Sequence, residues 1–283
     1  MKKIKNQNKI TATLTKYKKW LTRKDLSINT INSYLHSISV YGQSKKISTN
    51  NLRNYVKVNL NKHQPSTLLT RINGILHYAK FTKTSVQKEK IYKLVPKYQG
   101  KLFPTINEEE LIKVKKVRYE VNDWVYQRNN LIIDFFTYTG VRVSELVNIK
   151  LNDYIGNNQL RVLGKGNKLR YVFIPDFLVK KLYNPHSKQH LFTNYQGKIL
   201  TRIFIGQIIQ NRTKLAKLNK AVSPHTFRRS FATRMNNGGA HLTTIQRLLG
   251  HSRIQTTARY IQTDQKTLFT EYHKVFIEPF QEN

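Results

Sequence analysis

Cysteine is absent from all 283 residues, so disulfides, thiol nucleophiles and Cys-ligated zinc are excluded at once. Acidic residues are scarce as well: 15 Asp and Glu stand against 50 Lys and Arg, a formal net charge of +35. Any metal site would have to draw on His and on those few carboxylates. There is no run of about 18 apolar residues, the length that suggests a membrane span, and no apolar signal segment follows the basic start at residues 1–5. A cytoplasmic, soluble protein is therefore expected. What the chain has in excess is positive charge, far more than solubility needs, and such a field concentrates a polyanion at the surface. DNA or RNA is the expected partner, with an anionic membrane surface as the rival. The length allows one large domain or two ordinary ones, with a core that needs no staples; two are expected.

Apolar residues recur at helical spacing in four successive stretches of residues 1–95. Leu14, Tyr17, Trp20 and Leu21 mark the first, Ile28, Ile31, Tyr34, Leu35 and Ile38 the second, and Leu52, Tyr55, Val56 and Leu60 the third. The fourth opens at Pro65, suited to a first helical turn, and continues through Leu68, Leu69, Ile72, Ile75, Leu76 and Ala79. Lys, Arg, Asn, Ser and Thr fill the other faces, as they would on helices facing phosphates or simply facing water. The pattern predicts a helical DNA-binding domain over 1–95, with Thr30, Tyr34 and Arg71 assigned to its DNA-facing side. Pro96, Gly100 and Pro104, with Lys97 and Lys101 between them, then break the periodicity and mark a linker over 96–106.

Asn107 with Glu110 three residues on reads as a helix N-cap with a reach-back carboxylate, opening a second domain over 107–283. A long apolar helix is predicted over 124–138. Strand-like runs at 159–163 and 169–174 flank Gly164-Lys165-Gly166-Asn167, which reads as a hairpin turn. Helices are expected over 199–218, 223–236, 242–249 and 254–263, separated by Pro224, Gly238-Gly239 and Gly250. The expected fold is mainly α: an N-terminal helical domain followed by a mixed α/β domain with a small β-hairpin.

Breaking a DNA phosphodiester without hydrolysis needs a nucleophile, donors for the non-bridging oxygens, a base for the nucleophile and an acid for the leaving 5′ oxygen. The second domain offers all four. Arg142 follows Thr139-Gly140-Val141 and starts a helix, where a guanidinium fork and free backbone N–H groups both suit a phosphate; a salt bridge to Glu145 or Asp134 is the alternative. His225 and Arg228, three apart, project from one helical face, as a phosphate-binding pair or as a plain surface pair. His251 follows the helix stop at Gly250, and Tyr260 comes nine residues later. Metal binding by His225 and His251 fits poorly, given their 26-residue separation and the lack of neighbouring ligands. Lys165 is either an acid reaching into a groove or an ordinary turn lysine. Its Gly-Lys-Gly-Asn-Lys run lacks the spacing of a nucleotide-binding loop.

In order, Thr139 to Leu146, Lys165, His225-Thr226-Phe227-Arg228-Arg229-Ser230-Phe231-Ala232-Thr233 and Leu249-Gly250-His251-Ser252 followed by Tyr260 resemble the boxes of the tyrosine recombinase, or phage integrase, family. The resemblance covers the whole second domain, and the helical first domain is similar to the family's core-binding domain. Phe227 and Arg229 stand where Leu and His are frequent in the family, and Ile261 where Thr-His often follows the tyrosine. The resemblance implies that Tyr260 attacks the scissile phosphate to form a 3′-phosphotyrosyl link and that Arg142, Arg228 and His251 hold its non-bridging oxygens. Lys165 would protonate the leaving oxygen and His225 assist proton transfer at the tyrosine. No metal, ATP or other cofactor is implied. The expected partners are double-stranded DNA carrying specific recombination sites, and a homo-tetramer, or a hetero-tetramer with a related recombinase, assembled on it. The tail with Val275, Phe276, Ile277 and Phe280 is expected to dock into a neighbouring protomer, packing on its own domain being the alternative. The layout is Xer-like, compatible with resolution, inversion or mobile-element integration and excision. A type IB topoisomerase, a non-catalytic DNA-binding protein and a metal-dependent transposase or nuclease are the other readings weighed.

Overall fold

The computed structural model describes residues 13–24, 26–42, 46–96, 103–164, 169–250 and 265–276. They divide between two compact units, Met1–Lys101 and Leu102–Asn283.

The first unit is helical. Helix α1 covers 13–22. Helix α2 (Ile28–Tyr41) begins where the Thr30 amide donates to Ser27 Oγ at 3.3 Å. Helix α3 (Thr49–Asn59) begins the same way, with the Asn51 amide on Ser48 Oγ at 3.2 Å; such caps satisfy N–H groups that a helix start leaves unpaired. Helix α4 (Pro65–Phe81) opens on proline, whose missing N–H would have had no partner there. A short helix, α5 (Lys88–Tyr92), follows; the apolar periodicity does not announce it. The predicted stripes face inward except at Ile28, which is exposed in the first turn of α2: Tyr17, Leu21, Ile31 and Ile38 form one apolar cluster, and Leu52, Val56, Leu68, Ile72 and Ile75 lie in another, joined by Ile91 of α5. Tyr17 is wholly buried, and its hydroxyl lies 2.8 Å from His77 Nδ1, so the polar tip of a core aromatic is partnered.

The second unit is entered through residues 103–106, which are fastened to helix α11 (Pro224–Asn237) and to the residues just before it. The Arg229 guanidinium sits over the Phe103 ring at 5.0 Å and donates through Nε to the Pro104 carbonyl at 3.3 Å. Lys220 Nζ donates to the Thr105 carbonyl at 2.5 Å, and the Ile106 amide to Ser230 Oγ at 2.7 Å. Helix α6 (Glu108–Lys116) then starts on the reciprocal cap read from the sequence, the Glu110 amide on Asn107 Oδ1 and the Asn107 amide on Glu110 Oε2, each at 2.9 Å.

Helix α7 (Asp123–Thr139) is buried on every face from Leu131 onward and forms the centre of the unit. Around it stand α8 (Val143–Leu146), strands β1 (Gln159–Leu163) and β2 (Leu169–Phe173), α9 (Asp176–Val179), α10 (Arg202–Leu215), α11, α12 (Leu242–Leu249) and α13 (Gln265–Phe276). The strands pair antiparallel, Gln159 opposite Phe173 and Leu163 opposite Leu169. Their inward residues Leu160, Val162 and Val172 join a core shared with Phe136, Phe227 and Ile205. Arg212, fully buried on α10, donates to Glu120 Oε1 through Nε at 3.0 Å and Nη2 at 2.8 Å, and Asn129 donates to the same oxygen at 2.6 Å.

Three expectations need adjustment. The helix read over 199–218 is shorter, because Ile199 pairs with Thr193 in an isolated β-bridge and Thr201 caps the Phe204 amide at the helix start. The second strand stops at Phe173, with Pro175 close behind. Phe276 does not stand free for a neighbour in this chain: it is 1% exposed, stacked on Phe231 at 5.2 Å, with Val275 packed on the same core. The helix read over 254–263, and Ile277 and Phe280, lie outside the described residues.

Candidate active site

The site is assembled where α7 ends. Gly140 closes that helix in a left-handed conformation (φ +58°), and a Cβ there would lie 2.7 Å from Phe231 Cδ1, so glycine is needed both for the turn and for the close approach of α11. Two residues on, Arg142 caps α8. Its amide donates to Glu145 Oε2 at 2.7 Å, its Nη1 to Glu145 Oε1 at 2.8 Å and its Nη2 to the Gly250 carbonyl at 3.0 Å. The salt bridge weighed from the sequence thus exists with Glu145, whereas Asp134 pairs with Lys115 at 2.5 Å. It does not use up Arg142: a guanidinium has five N–H donors, and this side chain remains 28% exposed.

Arg228, buried on α11, donates to the Gly140 carbonyl at 2.6 Å and to the Leu249 carbonyl. A third guanidinium, from Arg170 on β2, donates to the Leu248 carbonyl and to Glu145 Oε2 at 2.7 Å. Three successive carbonyls at the C-terminal end of α12 therefore each receive an arginine. This is where a helix leaves carbonyls unpaired and carries its partial negative charge. Gly250 ends that helix in the left-handed region (φ +62°).

Burial raises the Glu145 pKa, but the Arg170 charge and the Arg142 hydrogen bonds and charge outweigh it and hold the carboxyl below its ordinary 4.5. Burial, then the charges of Arg142 and Arg170, push Arg228 down to about 9, with Glu145 opposing. Among the described residues of the cluster, three guanidiniums face one carboxylate, leaving two positive charges uncompensated. Desolvated like charges are costly unless an anion joins them. A cleft of about 520 Å³ opens beside Glu145, where Lys150, Arg161 and His190 stand together with Asp153, Leu163 and Leu169; none of Arg142, Arg170 and Arg228 is among its lining residues. His225, exposed on the first turn of α11, has its imidazole pKa lowered by partial desolvation and then by Arg228, Arg229 and Arg142. These effects all favour the neutral ring.

Of the residues singled out in the sequence, the structure brings Arg142 and Arg228 onto one helix end, with His225 one turn from Arg228. Lys165, His251 and Tyr260 lie outside the described residues. Arg170 is a member of the cluster that sequence reading missed. In the structure, strand alternation puts Arg170 on the inward side of β2 with buried Val172, where an apolar residue is the norm. In the first unit, Thr30 lies in the first turn of α2, its hydroxyl 2.9 Å from Ser27 Oγ. The Tyr34 ring packs 4.5 Å from His77. Arg71 Nη1 on α4 is buried without a hydrogen-bond partner among the described residues. Among the described residues no group of three or more His, Asp and Glu is set to hold a metal ion, and no helix is long and apolar enough to cross a membrane.

The sequence profile described as the phage integrase family matches residues 108–267. Tyrosine recombinase XerD of Staphylococcus haemolyticus is 29% identical over 278 residues, spanning 88% of this chain and 94% of that protein. XerD of Chlorobaculum tepidum is 36% identical over 161 residues, 53% of each chain. Among solved structures, XerH site-specific recombinase bound to difH substrate aligns with a TM-score of 0.65 at 22% identity, covering 88% of this chain and 80% of that one. A lambda integrase dimer bound to a COC′ core site aligns with a TM-score of 0.68 at 13% identity, covering 93% and 94%. These structural likenesses establish the fold: mostly helical, with a small two-stranded sheet.

Proposed function

Since the chain belongs to the phage integrase family and, as a tyrosine recombinase, is a DNA-cleaving and rejoining enzyme, we propose that it is a Xer-like site-specific recombinase working through a 3′-phosphotyrosyl intermediate. The observation that carries this reading is the Arg142–Arg170–Arg228 cluster around Glu145, two positive charges in excess, with Arg228 buried and Arg142 still open to a ligand. A phosphodiester brings one negative charge on two non-bridging oxygens, and the pentacoordinate transition state builds a second, so the excess of two positive charges suits the transition state better than the resting ester.

In this proposal Tyr260 Oη attacks the scissile phosphorus and its proton passes toward His225. The bond from phosphorus to O5′ breaks, and the departing O5′ takes a proton from Lys165. Arg142 and Arg228 hold the non-bridging oxygens as charge builds on them, with His251 adding a hydrogen bond; such donors gain most strength in a site that excludes water. The tyrosyl phosphate ester retains the energy of the broken bond, so a 5′-hydroxyl from a second strand reverses the step and completes the exchange. Charge is stabilised by guanidiniums, and the scheme calls on no metal and no nucleotide. The working assembly is a tetramer on paired DNA sites in the cytoplasm, with Thr30, Tyr34 and Arg71 of the first unit facing DNA.

The test incubates wild type and Tyr260→Phe with nicked suicide duplexes bearing candidate sites from the host DNA, in EDTA, and resolves protein–DNA adducts on a denaturing gel. An adduct on the 3′ phosphate in wild type and none in the variant is expected. Absence of an adduct on a duplex that the protein demonstrably binds would refute the catalytic reading.

A further inference from the structure

Arg170 adds its charge to the cluster but takes no step in the scheme above, yet it is built into the site more tightly than Arg142. Its side chain is 12% exposed. It passes so close over Gly250 that a Cβ there would lie 2.7 Å from Arg170 Cδ and 2.8 Å from Nε. Its fork reaches two acceptors that are far apart in sequence, the Leu248 carbonyl and Glu145 Oε2. Each contact has a chemical consequence. A buried carboxylate facing a single arginine takes it in a two-pronged pair, both oxygens on one guanidinium. Because Arg170 and the Arg142 amide share Oε2, the Arg142 side chain meets only Oε1 of Glu145; with Nη2 also on the Gly250 carbonyl, the remaining N–H groups of its fork stay available to a ligand. The bond to Leu248, in turn, ties β2 to the end of α12. In sequence, β2 follows directly on the segment containing Lys165, and α12 leads through Gly250 into His251.

We infer that Arg170 is a positioning residue for strand cleavage: by dividing Glu145 with Arg142 and joining β2 to the end of α12, it sets the Arg142 fork against the scissile phosphate. This rests on the phosphotyrosyl reading. The role requires a planar fork that spans two acceptors at once, which a lysine ammonium does not provide.

The experiment compares wild type, Arg170→Ala and Arg170→Lys on the nicked duplex, measuring duplex affinity and the single-turnover rate of adduct formation separately. Both variants are expected to bind the duplex within about twofold of wild type while forming adduct about 100-fold more slowly, the scale of a small misplacement of reacting groups. In an Arg142→Lys background, Arg170→Ala should add less than about twofold, because the two residues act through one fork. Restoration of the rate by lysine, losses that multiply in the double variant, or affinity falling as far as the rate would each overturn the inference. If alanine prevents folding, seen as loss of the thermal transition, the lysine variant carries the test. Wild type that forms no adduct on a bound duplex sinks the phosphotyrosyl reading and this inference together. Wild-type adduct with an undiminished rate in the variants sinks this inference alone.

Discussion

Gly140→Ala should damage the second unit far more than a glycine-to-alanine change ordinarily does. The backbone there is left-handed, and the new Cβ would lie 2.7 Å from Phe231 Cδ1, 2.9 Å from Cγ and 3.0 Å from Leu249 Cδ2. A non-glycine residue in that region costs about 1–2 kcal/mol, and overfilling a packed core about 1–3 kcal/mol, for a combined loss of about 2–5 kcal/mol. At roughly 2–4 °C per kcal/mol for a domain of this size, the midpoint of thermal unfolding followed by circular dichroism should fall by about 4–20 °C. Gly206→Ala is the matched control. It lies inside α10 with nothing near its absent Cβ, so alanine should stabilise by about 0.5–1 kcal/mol. A Gly140→Ala melt within about 2 °C of wild type, or equal losses at both positions, would refute the argument that Gly140 is held by its turn and its neighbours. The change should also slow adduct formation, since the Gly140 carbonyl receives Arg228.

Glu120→Ala leaves the fully buried Arg212 guanidinium without its carboxylate and should cost about 3–5 kcal/mol in urea unfolding; a loss below about 1 kcal/mol would contradict that burial. Because Glu145 titrates below 4.5 in the fold, its ionised form contributes stability that is present above that pH and is lost as pH falls through the lowered value. Glu145→Gln should therefore flatten the acid side of the stability–pH curve, and an unchanged slope would count against the assignment. In the DNA-free protein, the His225 ring should titrate below 6.5 by NMR, and Arg229→Gln should move it upward by removing one of the charges that lower it. A downward move would be inconsistent with the local field described here.

Local chemistry was legible in the sequence and distant chemistry was not. The Asn107–Glu110 cap, the strand pair around Lys165 and the helix stop at Gly250 depend on residues within a few positions of one another, and all three have the expected form where they are described. The helical stripes of the first unit turn inward because their spacing alone specifies a face. Arg170 was hidden because the apolar alternation of Leu169, Tyr171 and Phe173 assigns it to the outward face, whereas the structure exposes Leu169 and Tyr171, and because its partners Glu145 and Leu248 are 25 and 78 residues away. Arg229 departs from the spelling frequent in the family, and its long side chain reaches Pro104 and Phe103. Which acid Arg142 would meet, Glu145 or Asp134, was left open by the sequence; the i,i+3 cap of α8 takes Glu145, and Asp134 pairs with Lys115 instead.

The fastening of residues 103–106 onto α11 redraws the border along which this protein divides. The family profile begins at residue 108, but Arg229, Lys220 and Ser230 find partners in Phe103, Pro104, Thr105 and Ile106. A fragment cut at the profile boundary would strip those partners from the helix that carries His225 and Arg228. The folded unit begins upstream of its recognisable motifs, with a strap that holds the helix on which the conserved-looking spelling is written.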